Sequence, residues 1–180
     1  EPPLIQSQVK GLLLISLSDG YHAGAATQMN ATAVPNGKGG TLGIRFNQKV
    51  GPMMSSATRE VEKLMRVRHS KSIPKGYNIE FGFANKHSLK DGPSAAVACA
   101  LMANAIITGK PLDQKFAATG DLTATGEVRP IGGVAAKIRG AVNKDCTIFA
   151  VPKGNTDALS DLYITDGIEA LCKIQIIAVK

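Results

Sequence analysis

Apolar and polar positions change period several times along the chain, and the changes mark its elements. From Val9 to Leu17, and again from Ala25 to Val34, β-branched and apolar residues recur with partial alternation, and Gly20 and Gly24 interrupt the two runs as turn residues do. These segments predict paired strands. The cluster Pro35-Asn36-Gly37-Lys38-Gly39-Gly40 breaks the pattern, and a short strand follows from Thr41 to Phe46, so the chain is expected to open as a meander. Met54, Ala57, Val61, Leu64 and Met65 then fall on one face of a helix whose other face carries Arg59, Glu62, Lys63 and Arg66. Methionines at that spacing belong to a core.

Gly76 precedes an alternating strand, Asn78 to Phe83, and a polar loop leads to Asp91-Gly92-Pro93-Ser94. After it, Ala95 to Ile107 is apolar almost throughout. The run is too long for a strand and too short to span a bilayer, which predicts a helix buried on most sides, stopped by Gly109 and Pro111. Further elements are a strand at Lys115–Thr119, a helix at Gly132–Val142, a strand at Thr147–Pro152, a short helix at Thr156–Leu162 and a strand at Lys173–Val179. The fold class is therefore α/β (α+β) with mixed sheet order. No repeat or low-complexity linker divides the chain, and residues 1–180 are expected to form one domain.

Composition narrows the functional classes. At 180 residues, 44% hydrophobic and 19% charged, the chain is globular, and no apolar stretch is long enough for a membrane span. The net charge of +7 suits an acidic partner, but Lys and Arg are scattered and aromatics are only 4%, so no stacking platform for nucleic acid stands out. Cys99, Cys146 and Cys172 lack metal spacing and cannot all pair within the chain; they are expected as buried small hydrophobes in a reducing cytoplasm. The opening Glu1-Pro2-Pro3 has no signal-peptide character and reads either as an artificial boundary or as the start of a processed chain, so an exported mature chain stands beside the cytoplasmic expectation.

Pro93 suits the first turn of a helix, since its missing N–H would be unpaired there, and this sets Ser94 at a helix N-terminus. Unpaired N–H groups and the helix dipole at that end stabilise an oxyanion, which suits a nucleophile. On the residues alone a capping role for Ser94 is the stronger reading.

The string Lys90-Asp91-Gly92-Pro93-Ser94-Ala95 resembles the nucleophile motif of the Lon protease family, and Ile131-Gly132-Gly133-Val134-Ala135-Ala136-Lys137 is similar to its lysine motif. Thr119 to Thr123 and Gly126 to Pro130 match two further segments in the same order, with Pro35 to Gly40 and Met53 to Ser56 fitting more loosely. The resemblance implies the Lon protease domain, a mixed-sheet fold related to the ribosomal protein S5 domain 2-like fold. It implies a serine endopeptidase in which Ser94 attacks the scissile carbonyl and Lys137, as neutral amine, takes its proton. Thr119 would hold the amine, Asp91 would shape the loop and lie near the amine, and Gly92 and Pro93 would form the loop at the oxyanion site. His22, His69 and His87 carry no motif that ties them to Ser94. The substrates implied are unfolded proteins or peptides, and the assembly a six-membered ring.

Two small departures stand in the motifs: Ala96 and Asp121 replace the family's usual glycine and glutamate. A larger one is that no G-x-x-x-x-G-K-[ST] phosphate loop occurs, so the chain is expected to use no cofactor and to have ATP coupled only through a separate module. Two other readings compete. One is a catalytically silent Lon-like domain used for assembly or binding, which the presence of both Ser94 and Lys137 opposes. The other is a basic nucleic-acid-binding module.

Overall fold

A computed structural model describes residues 1–85 and 89–180. Its main sheet has seven strands in the order β3-β4-β2-β1-β5-β8-β9. The strands are β1 (Gln6–Ser16), β2 (His22–Pro35), β3 (Ile44–Phe46), β4 (Tyr77–Phe83), β5 (Phe116–Ala118), β8 (Ile148–Pro152) and β9 (Gln175–Val179). Helices α1 (Pro52–Arg68), α2 (Ala96–Thr108), α3 (Val134–Val142), α4 (Ala158–Asp166) and α5 (Ile168–Cys172) pack around it.

Strand periodicity divides the core in two. Successive residues of a strand point to opposite faces, so Val9 joins the cluster under α1 and α2 while Leu12 joins the one under α3 and α4. Ala118 and Ala150 likewise fall on the first side, and Ala117, Phe149 and Val151 on the second. Helix α2 is apolar nearly all round because it lies deep under the first face, and it ends at Gly109 in the left-handed conformation, as its sequence predicts.

Several expectations need correction. The meander is broken, because β4 pairs antiparallel with β2 and parallel with β3 and so separates them. Gly24 lies inside β2, and the turn it was expected to mark is made by residues 18–20 alone. A small hairpin of β6 (Asp121–Leu122) and β7 (Val128–Arg129) escapes prediction, since two residues per strand leave no period to read. Cys99 and Cys146 are buried, but Cys172 is exposed because it ends a five-residue surface helix. Among the described residues no helix is long and apolar enough to cross a membrane.

Candidate active site

A cleft of about 800 Å³ opens where β5 ends and β1 continues. Lys10 and Gly11 of β1 pair with β5, and from Leu12 to Ser16 the strand is paired, among the described residues, only with β2 on its other side. Leu12 to Ile15 line the resulting notch together with Pro130, Ile131, Ser94 and Lys137.

Ser94 enters the notch from the α1/α2 side. Pro93, Ser94 and Ala95 form one 3-10 turn that leads into α2 at Ala96, so the serine stands on the approach to the helix rather than within it. The N-terminus of α2 has no side-chain cap, and the Ser94 hydroxyl makes no hydrogen bond among the described residues. The capping role that competes with catalysis in the sequence is thereby removed. The Ser94 carbonyl is fixed instead, accepting from the Gly120 N–H at 2.9 Å and the Thr119 hydroxyl at 3.3 Å.

Lys137 enters from the opposite face, on α3. Its side chain is 3% exposed. Val134 and Ile138 of the same helix are buried, and Ile131 is packed against them. Taking an ammonium out of water disfavours the charged form, and burial lowers the amine from its ordinary 10.5 to about 8. Its Nζ donates to the Thr119 Oγ1 at 3.3 Å. Thr119, itself fully buried, thus touches both halves of the site: one hydroxyl receives the amine and donates to the serine carbonyl.

Asp91 lines the same cleft as Lys137 and is tied to α1. It forms no ion pair with Lys137 among the described residues, and its carboxylate accepts from the Met54 N–H at 2.9 Å at the start of α1. That bond, assisted by the N–H groups of Gly92 and Met53, holds the carboxyl below its usual range, so it stays ionised while serving the helix N-terminus. Gly92 has φ 109° and carries the chain into Pro93. Asp121 accepts from the N–H of Leu122 next to it. Of the histidines, His22 contacts Ser16 and His69 contacts Asn104, while His87 lies outside the described residues. No group of three metal-ligating side chains occurs among the described residues.

Sequence reasoning missed what seats the lysine helix. A Cβ built on Gly24 would stand 1.7 Å from the Ala136 carbonyl oxygen and 2.7 Å from the Lys137 nitrogen, and one on Gly140 would stand 2.7 Å from the Gly24 carbonyl. Helix α3 therefore lies directly on the backbone of β2. A lone glycine inside a strand pattern is the available signal for such an approach.

The sequence matches the family model of the Lon protease (S16) C-terminal proteolytic domain over residues 23–178. Among curated proteins, it is 29% identical to a Lon protease of Lachnoclostridium phytofermentans, over 83% of this chain and 19% of that protein. It is 32% identical to Lon protease 1 of Syntrophotalea carbinolica, over 77% of this chain and 17% of that protein. An archaeal Lon protease of Thermoplasma acidophilum is 28% identical over 93% of this chain and 26% of its own length. The chain spans less than a fifth of the lengths of the first three bacterial relatives and about a quarter of the archaeal one.

Proposed function

The chain belongs to the Lon protease family as a C-terminal proteolytic domain with the mixed-sheet, S5 domain 2-like fold, and from that premise we propose that it hydrolyses peptide bonds with Ser94 and Lys137 as a dyad. The observation that carries the proposal is their convergence. A serine hydroxyl with no hydrogen bond among the described residues and a buried, readily neutralised amine line one cleft, and the Thr119 hydroxyl links that amine to the Ser94 carbonyl.

In the proposed reaction Lys137 takes the Ser94 proton as Oγ bonds to the scissile carbonyl carbon. We place the oxyanion beside the turn that precedes α2, toward the positive end of that helix's dipole; Gly92 and Pro93 shape that approach. The lysine ammonium then passes its proton to the leaving amine, the C–N bond breaks, and an acyl-serine ester remains. Water, deprotonated by the same amine, attacks the ester carbonyl carbon, and as the bond to Oγ breaks the lysine ammonium returns the proton to Ser94. Thr119 holds the amine. Asp91 acts on the loop through α1, and we assign it no part in proton transfer.

An extended, loosely folded chain is the substrate that fits. Among the described residues, β1 beyond Gly11 keeps one unpaired edge along the cleft, a surface an extended backbone can lie against. Residues 1–180 are taken as one proteolytic domain, ATP as unnecessary for cutting such substrates, and a six-membered ring as the assembly implied by family resemblance.

The test is labelling by a fluorophosphonate combined with casein hydrolysis. Ser94→Ala should lose both, with hydrolysis falling at least about 10³-fold, and adding Lys137→Ala to it should cost nothing more because the pair acts as a unit. Hydrolysis by Ser94→Ala at the parent's rate would refute the assignment, and parent-level labelling would show that another nucleophile reacts.

A further inference from the structure

The nucleophile turn carries a second buried lysine that the dyad does not use. Lys90 is 6% exposed. Its Nζ donates to the Asn85 carbonyl at 2.6 Å and lies 5.1 Å from the centroid of the Phe83 ring. Phe83 ends β4 and is buried in the core under α1 and α2.

A buried ammonium is unfavourable unless acceptors replace its water, and an apolar side chain of similar length fills the same space without that penalty. The charge must then do something that packing alone does not. Two of the groups that receive it, the Asn85 carbonyl and the Phe83 ring, belong to the end of β4 and the residues just after it. The Lys90 main chain is tied elsewhere, since its carbonyl accepts from the Gly51 N–H at 2.8 Å, and Asp91 binds the Met54 N–H one residue later. Side chain and main chain therefore fasten this point to two different elements, four residues before Ser94.

We infer that Lys90 is a positioning residue, whose ammonium staples the nucleophile turn to the end of β4 and fixes where Ser94 stands in the cleft. Without it, Lys90 to Gly92 are held from the α1 side and the Ser94 carbonyl by Gly120 and Thr119, so the stretch between these two attachments, and with it the Ser94 hydroxyl, can shift. Substrate walls contributed by β1 and Ile131 are untouched. Lys137 sits on the other face of the sheet and keeps its Thr119 contact. The loss thus belongs to nucleophile placement, and not to substrate binding or to the amine's titration.

This inference rests on the proposed roles of Ser94 and Lys137, and the experiment separates the two. Lys90→Met keeps the stem and removes the charge. Peptide hydrolysis and fluorophosphonate acylation are measured against pH, beside the parent and Ser94→Ala. The expected result is a roughly ten- to hundredfold lower kcat and acylation rate, the range a displacement of about an ångström produces, with KM and the alkaline midpoint unchanged. Should Lys90→Met not fold, Phe83→Leu removes the ring and leaves the ammonium; a smaller loss in kcat alone is expected. Acylation within about twofold of the parent in the folded variant, or a moved alkaline midpoint, overturns the inference. Hydrolysis and labelling that persist in Ser94→Ala overturn the dyad and this inference together.

Discussion

Ser94 stands on a turn tied down by hydrogen bonds, whereas Lys137 stands on a helix pressed against bare backbone. On the serine side, Gly51, Met54, Gly120 and Thr119 each donate to Lys90, Asp91 or Ser94, and every tie is polar. On the lysine side, Gly24 and Gly140 let α3 and β2 meet main chain to main chain, and beside the Thr119 hydroxyl that receives the amine stand the apolar Ile131, Val134 and Ile138. The difference follows from what each group has to do. A nucleophile needs a defined position, which these hydrogen bonds supply. A lysine base needs to be neutral near the working pH, which only burial supplies here.

The largest effect should come from converting the base into a permanent charge. Lys137→Arg keeps a cation but not one that deprotonates in the working range, so hydrolysis should fall at least about 10³-fold at every pH. In the parent, activity should rise through pH 8 as the amine, lowered to about 8, loses its proton. Measuring kcat/KM from pH 6 to 10 checks both. Substantial activity in Lys137→Arg would mean that some other group, His87 among the candidates, is the base.

A matched pair of glycine substitutions sharpens the comparison further. Gly24→Ala would drive its Cβ into the Ala136 carbonyl, and a main-chain oxygen gives way only if α3 lifts from the sheet. Gly51→Ala would set its Cβ 2.1 Å from the Asp91 carboxyl carbon and disturb the nucleophile turn. Each should lower kcat/KM, Gly24→Ala by roughly a hundredfold. Only Gly24→Ala should move the alkaline midpoint upward, since a lifted Lys137 regains water and its pKa climbs back toward 10.5. Equal midpoints in the two variants would mean that backbone contact does not set the lysine's environment.

Some of this was legible in the sequence and some was not. Long periodic segments such as α1, α2, β1 and β2 appear near their predicted bounds because their patterns span several turns or pleats. Ser94, Lys137 and Thr119 stood out by resemblance to four ordered motifs, and the residues alone favoured a cap for Ser94. The place of β4 between β2 and β3 was hidden, because pairing partners are a non-local property. Lys90 enters the sequence reading only as a letter of the nucleophile motif, with no sign of Phe83 and Asn85 beside it, and Gly24 reads as a turn until α3 lies on it. The resemblance has Asp91 shape the loop, but its bond to the N–H of Met54 could not be read, because no side-chain motif displays a main-chain donor.

The smallest effect is on stability, and its sign is opposite to that of the activity losses. Below pH 8 Lys137 is protonated whether the chain is folded or not, and the folded state bears the full penalty of a buried charge. Between about 8 and 10.5 the unfolded chain holds the proton that the folded one has released, so stability rises with pH across that window. Above it both are neutral and the penalty is gone. Lys137→Met fills similar space without a charge and leaves Thr119 its bond to the Ser94 carbonyl, so no polar group is orphaned. The variant should be inactive yet more stable at pH 7, by at most roughly 3 kcal/mol, which corresponds to several degrees in Tm. That advantage over the parent should shrink as pH rises from 8 to 10.5 and vanish above. Comparing the two proteins at each pH cancels the titration of every group they share. A variant less stable than the parent at pH 7 would mean that the amine is not held under a desolvation penalty, and the physical distinction between the two sides of the site would fail with it.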